Sequence, residues 1–237
     1  LNAVRHEQVE PEASVHIGPP LVFGRLWEEL GLPAIFKRLL AGRRFQFPLE
    51  RVVFLTVLHR LFDPGSDRAA ERWCRRYALD GLEDVELQHF YRTMGWLGEP
   101  LPDDQQPGEQ QSGEQQSGEQ QPDEPGPLGP RLRTRHIEEA LFDRRRDLFS
   151  GLRLFFIDTT SIYFEGEGGE SLGKRGYSKD HRPDLNQIVL AVVLDDTGRP
   201  VCCEMLPGNT ADITTLLPLA DRLRERFGIT EICIVAD

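Results

Sequence analysis

Two aspartates carry the residue type and setting for metal chemistry. Leu154-Phe155-Phe156-Ile157-Asp158 and Glu231-Ile232-Cys233-Ile234-Val235-Ala236-Asp237 each read as a hydrophobic strand delivering a carboxylate at its C-terminal end. Carboxylates brought together from neighbouring strands are hard oxygen ligands of the kind Mg²⁺ takes. Ions held in this way activate an attacking water or hydroxyl and stabilise the leaving oxygen in phosphodiester displacement. Asp158 and Asp237 are therefore the expected metal ligands. Such a site ordinarily uses a third carboxylate, and none follows Asp237 in the sequence. The expectation is a C-terminally truncated chain, inactive alone. Glu204 lies on a strand between the two blocks, and Asp212 sits at a helix start as an N-cap. Neither reads as a substitute.

Lys174, Arg175, Lys179 and Arg182 crowd the segment that follows the first of these strands. They offer cations to DNA phosphates near the metals. Gly166, Gly168, Gly169, Gly173 and Gly176 lie beside them, so a solvated loop is the other reading. The acidic run Glu165-Gly166-Glu167-Gly168-Gly169-Glu170 repels phosphate and is no phosphate cradle. No His/Cys group has zinc spacing.

The elements that position these residues follow from periodicity. Residues 152–164, 186–195 and 201–206 read as strands, with Asp195-Asp196-Thr197-Gly198 as the hairpin turn between the last two. Residues 212–227 read as a helix closed by Gly228, and 231–236 as a final strand. A helix marked by Ile137, Ala140, Leu141, Leu148 and Phe149 precedes them. A meander that crosses by a helix to a further strand makes a mixed sheet.

The first 98 residues are patterned differently. Leu21, Val22, Leu26, Trp27 and Leu30 recur near helical spacing, and Ile35, Phe36, Leu39 and Leu40 form a second apolar face. A third helix opens at Pro48 and reads as buried on most sides. A fourth is capped by Ser66, with Ala70, Trp73 and Tyr77 inward and Arg68, Arg72, Arg75 and Arg76 mostly outward. A fifth runs from Glu86 to Leu97 through Phe90 and Met94. The expected organisation is a small all-α domain over 1–98, with the arginine face of its fourth helix as a candidate DNA contact. A linker over 99–130 and an α/β domain over 131–237 follow. The linker carries the repeat QQPGE, QQSGE, QQSGE, QQPDE, too poor in apolar residues to order itself.

The net charge of -11 conceals an uneven distribution. Residues 101–130 hold seven acids and no base; without them 32 acids face 28 bases, a balance of -4. Of the bases only Lys37, Lys174 and Lys179 are lysine. Arginine, with a planar and always charged fork, suits phosphate. No run approaches the roughly 20 apolar residues of a membrane span. Cys74, Cys202, Cys203 and Cys233 have no CxxC spacing and read as buried thiols.

The strand order, with Asp on the first and fourth strands, resembles the ribonuclease H-like fold. Ile157-Asp158-Thr159-Thr160-Ser161 resembles the first catalytic block of the DDE transposases of bacterial insertion sequences. The stretch from Gly176 to Gln187, GYSKDHRPDLNQ, resembles the segment G-x-S-K-D-x-R-P-D-L-x-Q that follows it in that family. Pro207-Gly208-Asn209-Thr210-Ala211-Asp212 resembles the G-N-x-x-D segment, and Ile234-Val235-Ala236-Asp237 the second catalytic block. The resemblance covers about residues 150–237. It implies an α/β fold with an incomplete ribonuclease H-like mixed sheet and DNA transposition by metal-dependent cleavage and strand transfer. It also implies two Mg²⁺ (or Mn²⁺) ions in the full-length protein and a Glu on a helix past the second Asp. Expected partners are transposon and target DNA and further copies of the chain, with no membrane and no small-molecule substrate, in a cytoplasmic, nucleoid-associated setting. The alternative is a catalytically dead remnant that only binds transposon DNA or the intact transposase.

Overall fold

The computed structural model describes residues 14–101, 132–145, 155–165, 172–176, 182, 184–210, 212–228 and 234–235. The chain divides into two compact units, Leu1–Glu99 and Pro100–Asp237.

In the first unit the described residues form five helices: α1 (Gly18–Glu29), α2 (Leu32–Leu39), α3 (Leu49–Phe62), α4 (Asp67–Trp73) and α5 (Leu87–Leu97), with a 3-10 turn at Cys74–Arg76. Gly31, at φ 71°, turns the chain between α1 and α2, a left-handed position that glycine takes without a Cβ clash. Ser66 caps α4 by accepting the Ala69 N–H. Glu86 and His89 form a reciprocal capping box on α5. The core packs Trp27 against Phe36 and Phe54, with ring centroids 6.1 and 5.2 Å apart, and buries Leu55, Leu58, Phe90 and Trp96.

Burial along three of these helices differs from what the apolar pattern alone suggests. Helix α1 does not bury its apolar run: Leu21, Val22, Leu26 and Leu30 are exposed, and only Trp27 is buried. The indole fills the gap between α2 and α3, and a helix apolar on several sides presents only one of them to those neighbours. Helix α3 buries Val52 to Leu55 and Leu58 but leaves Leu61 exposed. In α5, Met94 is exposed and Trp96 takes the core position.

The second unit contains α6 (Arg133–Arg145), β1 (Phe155–Tyr163), β2 (Gln187–Asp195), β3 (Pro200–Pro207), α7 (Asp212–Phe227) and β4 (Ile234–Val235). The sheet order is β3-β2-β1-β4, with β1, β2 and β3 antiparallel in sequence and β4 parallel to β1. The α/β class and the mixed sheet thus agree with the expectation. Alternation places Phe155, Ile157, Val189, Ala191, Val193, Cys202 and Leu206 on one sheet face. Phe142 of α6 and Leu219, Leu223 and Phe227 of α7 complete that core. The other face carries Phe156, Asp158, Thr160 and Ile162 of β1 and Cys203 and Met205 of β3, all exposed.

Helix α6 departs from its apolar stripe. It buries Arg133, Glu139 and Phe142, while Ile137, Ala140 and Leu141 are only half-buried; Leu148 and Phe149 lie outside the described residues. Glu139 enters because Arg226 of α7 meets it at 3.1 Å.

Candidate active site

Asp158 is the fourth residue of β1, not its last. Thr159 to Tyr163 continue the ladder with β2, and Asp158 itself pairs with Val192. The alternating Thr, Ser, Ile and Tyr side chains that follow it favour extended backbone, so the strand runs on past the carboxylate. Asp158 projects from the exposed face, and no hydrogen bond or ion pair engages its carboxylate among the described residues. The flanking β4 pairs with β1 through Phe155↔Ile234 and Phe156↔Val235. Asp237, the second expected ligand, lies outside the described residues, and among those described no three carboxylate, His or Cys groups gather in a metal-holding cluster.

Two separate sequence stretches meet at the other end of β1. The Lys174 N–H donates to the Gln187 carbonyl and the Gln187 N–H to the Lys174 carbonyl, each at 3.0 Å. Gln187 opens β2 opposite Tyr163 and is fully buried; its Nε2 donates to the Gly208 carbonyl at 3.0 Å. The Gly208 N–H donates to the Leu172 carbonyl at 3.2 Å. A Cβ on Gly208 would collide with the Gln187 and Lys174 carbonyls, and one on Gly176 with the Gly208 carbonyl. Glycine at both positions lets the backbone of the 172–176 segment cross the end of β3 at contact distance. Thr210 closes the adjoining turn, its Oγ1 donating to the Pro207 carbonyl at 2.6 Å.

This knot places the described part of the basic segment. Lys174 and Arg175 are exposed. The Lys174 backbone sits level with Gln187 and Tyr163, five strand positions from Asp158, or about 16 Å along the sheet. Arg182 is exposed and already engaged: its Nε and Nη2 donate to the two Asp184 oxygens at 3.0 and 3.1 Å, and its guanidinium lies 5.6 Å from the centre of the Tyr163 ring. The Asp184 partner raises the Arg182 pKa, and the same hydrogen bond lowers that of Asp184. Lys179 lies outside the described residues.

Behind the sheet is a buried charge cluster that the sequence pattern does not reveal. Arg226 of α7 donates from Nη2 to Glu138 at 2.7 Å, from Nε to Glu139 at 3.1 Å and from Nη1 to Glu204 at 2.5 Å. Arg135 adds a second cation to Glu204 at 3.3 Å, and Glu138 accepts the Cys203 N–H at 3.0 Å. Burial pushes the Glu138 carboxyl above the ordinary carboxylate range, against the pull of Arg226. Burial likewise pushes the Cys202 thiol up to about 12. Glu204 is thereby fully committed to arginine, which excludes it as a metal ligand. The available signal is a glutamate at an inward strand position, between Cys202 and Leu206.

Residues 149–237 match the family model of the transposase DDE domain. No curated protein sequence matches the chain. Among solved structures, the chain is similar to a Mos1 transposase paired-end complex with the left transposon end: 17% identity, 81% of this chain, 55% of that one, TM-score 0.20. It is similar also to a pre-cleavage Mos1 transpososome (17% identity, 80% and 54% covered, TM-score 0.20) and to a Mos1 mariner paired end complex with Mn (16%, 88% and 62%, TM-score 0.19). The chain thus spans 54–62% of the length of these neighbours. The segment similar to a transposase DDE domain is the one that contains β1 to β4, the glycine crossing and Asp158.

Proposed function

We propose that residues 149–237 carry part of the metal-dependent phosphodiester-cleaving site of a DNA transposase, with Asp158 and Asp237 as metal ligands. The observation that carries this is the register of β4. Phe155 pairs with Ile234 and Phe156 with Val235 in parallel. If the chain continued in that register for two more residues, position 237 would come level with Asp158, and a parallel ladder would direct both side chains to the same face. The match of residues 149–237 to the transposase DDE domain supports the same reading, as does a sheet in the order β3-β2-β1-β4 for a ribonuclease H-like fold.

The donor chemistry fits Mg²⁺ or Mn²⁺. Asp158 is an exposed carboxylate with no competing cation among the described residues, and both ions take carboxylate oxygen. When bound, the ions would supply charge neutralisation at the scissile phosphate and an activated nucleophile. This chain's residues would hold the ions and align the DNA. Lys174 and Arg175, whose segment lies about 19 Å from Asp158 at Lys174, would contact the backbone flanking the scissile phosphate rather than that phosphate itself. Arg182 would first have to give up Asp184. DNA is the partner on this reading, and the helical first unit is a DNA-binding and assembly module.

The test is Mn²⁺ binding by electron paramagnetic resonance on the 1–237 polypeptide and on its Asp158→Asn and Asp237→Asn variants. Each substitution is expected to weaken Mn²⁺ binding at least tenfold, about 1.4 kcal/mol. Unchanged Mn²⁺ binding in Asp158→Asn, or carboxylates of 158 and 237 more than about 10 Å apart when one ion needs ligands at about 2.1 Å, would overturn the assignment.

A further inference from the structure

We infer that Arg68, Arg72 and Arg75 form a phosphate-backbone contact surface on the first unit, whose ligand is duplex DNA. The inference deepens the proposed function and rests on that reading for the identity of the ligand; the surface itself is read from the helix. The three residues lie at i, i+4 and i+7 along α4 and the 3-10 turn that extends it, a spacing that aligns them on one face. They span about 10 Å along the axis. One DNA strand presents a phosphate per about 3.4 Å of helix axis, so three phosphates occupy a similar length.

Among the described residues of the unit, exposed Lys37, Arg38 and Arg44 also lack an ion-pair partner; the stripe is set apart by its alignment on one helix face together with the absence of counter-ions. Exposed arginines at four other positions are paired: Arg25 with Glu29, Arg43 with Glu99, Arg60 with Asp67 and Arg76 with Asp63. Arg68, Arg72 and Arg75 are exposed, and among the described residues none of them has an ion-pair partner. The acids on the same helix are drawn away. Asp67 accepts from Arg60, and Glu71, which at i+3 and i-4 is placed to neutralise Arg68 and Arg75, accepts the Leu87 N–H at 3.3 Å instead. These contacts keep three like charges on one face apart from carboxylates.

The platform beneath them is fixed. Ala70 and Trp73 are buried, and Trp73 stacks on Tyr77 at 4.0 Å and meets the edge of His59 at 5.5 Å. The His16 N–H donates to the Arg76 carbonyl at 2.8 Å, tying down the turn that carries Arg75. This arrangement favours nucleic acid over an anionic membrane. A membrane-surface helix inserts apolar side chains beside its cations, whereas the apolar residues of α4 are already committed to the interior. A planar guanidinium also suits bidentate phosphate contacts.

The experiment measures binding of the 1–237 polypeptide to duplex DNA against salt. The slope of log Kobs on log[salt] is expected to become shallower by about 2 to 3 in Arg68→Ala/Arg72→Ala/Arg75→Ala, at about 0.9 for each phosphate no longer neutralised. The triple Arg→Lys variant should keep the wild-type slope within about 0.5, and so should Arg25→Ala, which removes a paired cation. A change of less than about 0.5 in the triple alanine variant, with its melting transition intact, overturns the surface. Loss of binding to phosphatidylserine vesicles with an unchanged DNA slope overturns it in favour of a lipid partner. Mn²⁺ binding at Asp158, measured on the same variants, separates the two proposals: the stripe fails alone if the slope is unmoved while Asp158 still governs Mn²⁺. A wild-type polypeptide that binds no duplex DNA overturns both.

Discussion

Replacing Arg226 with methionine tests what holds α6 and α7 to the back of the sheet. The side chain is 7% exposed and touches Glu138, Glu139 and Glu204, and Arg135 also reaches Glu204. The five groups carry a net charge of -1, three carboxylates against two guanidiniums; the substitution takes this to -2 and leaves Glu138 and Glu139 without Arg226. Removing one partner from a buried ion network costs about 3–5 kcal/mol, because the charges left behind are desolvated and unpaired. At roughly 3 °C per kcal/mol for a unit of this size, the midpoint should fall by about 10–15 °C. Arg224→Met, which breaks only an exposed pair with Asp221 at 2.9 Å, should cost under about 0.5 kcal/mol. Trp27, Trp73 and Trp96, the three tryptophans of the chain, all lie in the first unit. Far-ultraviolet circular dichroism should therefore show the destabilisation while the tryptophan-fluorescence transition stays in place. The pH dependence has a definite sign. Burial already raises the Glu138 carboxyl, and without Arg226 it rises further. A carboxyl whose folded pKa exceeds its unfolded one favours the folded state when protonated, a contribution that fades as pH rises through the folded value. The variant's deficit should thus shrink as the pH is lowered from 7 toward 5. A dichroism midpoint within about 3 °C of wild type at pH 7 would refute the role assigned to Arg226.

Two further outcomes are expected. Gly208→Ala should destabilise the second unit by about 1–3 kcal/mol, because its Cβ would meet the Gln187 and Lys174 carbonyls and the crossing must open; a dichroism melt unchanged by the substitution would show that the crossing yields freely. Deleting residues 103–127 should leave both melting transitions within about 2 °C, since the repeat offers almost no apolar side chain to pack; a larger drop in either transition would show that the segment docks.

What the sequence discloses about the fold is local. The turn at Asp195 is written in four residues, and the Asp195 carboxylate accepts from the Thr197 N–H, the Thr197 hydroxyl and the Arg199 N–H. Strands β1, β2 and β3 are legible within a few residues because their alternation is read from the strand itself. The adjacency of β1 and β4 follows from the order of the elements. By contrast, the burial of α1 is not legible, because periodicity shows which residues are apolar, not whether a neighbour arrives to cover them. The Arg226 cluster is hidden for a related reason. Its members lie at 135–139, 204 and 226, and their burial makes sense only once α6, β3 and α7 have met.

The candidate site shows the same division. Asp158 stands out as a candidate because a carboxylate following an apolar run is a local pattern. Its position inside β1 follows from the strand read over 152–164, and the ladder with β2 overturns only the reading of Asp158 as a strand end. The glycine crossing then changes what the basic segment can do. Its resemblance to a single motif leaves the distance to Asp158 open, but the paired Lys174 and Gln187 backbones bind that segment to the Tyr163 end of the strand. Lys174 at that end, about 19 Å from Asp158, is placed for a flanking phosphate and is too far away to neutralise charge at the metal ligand. If the proposed metal site forms, Lys174→Ala should therefore weaken DNA binding and reduce its salt slope by about 0.9 while leaving Mn²⁺ affinity unchanged. A Mn²⁺ affinity that changes with Lys174 would show that the segment folds back onto the carboxylates instead.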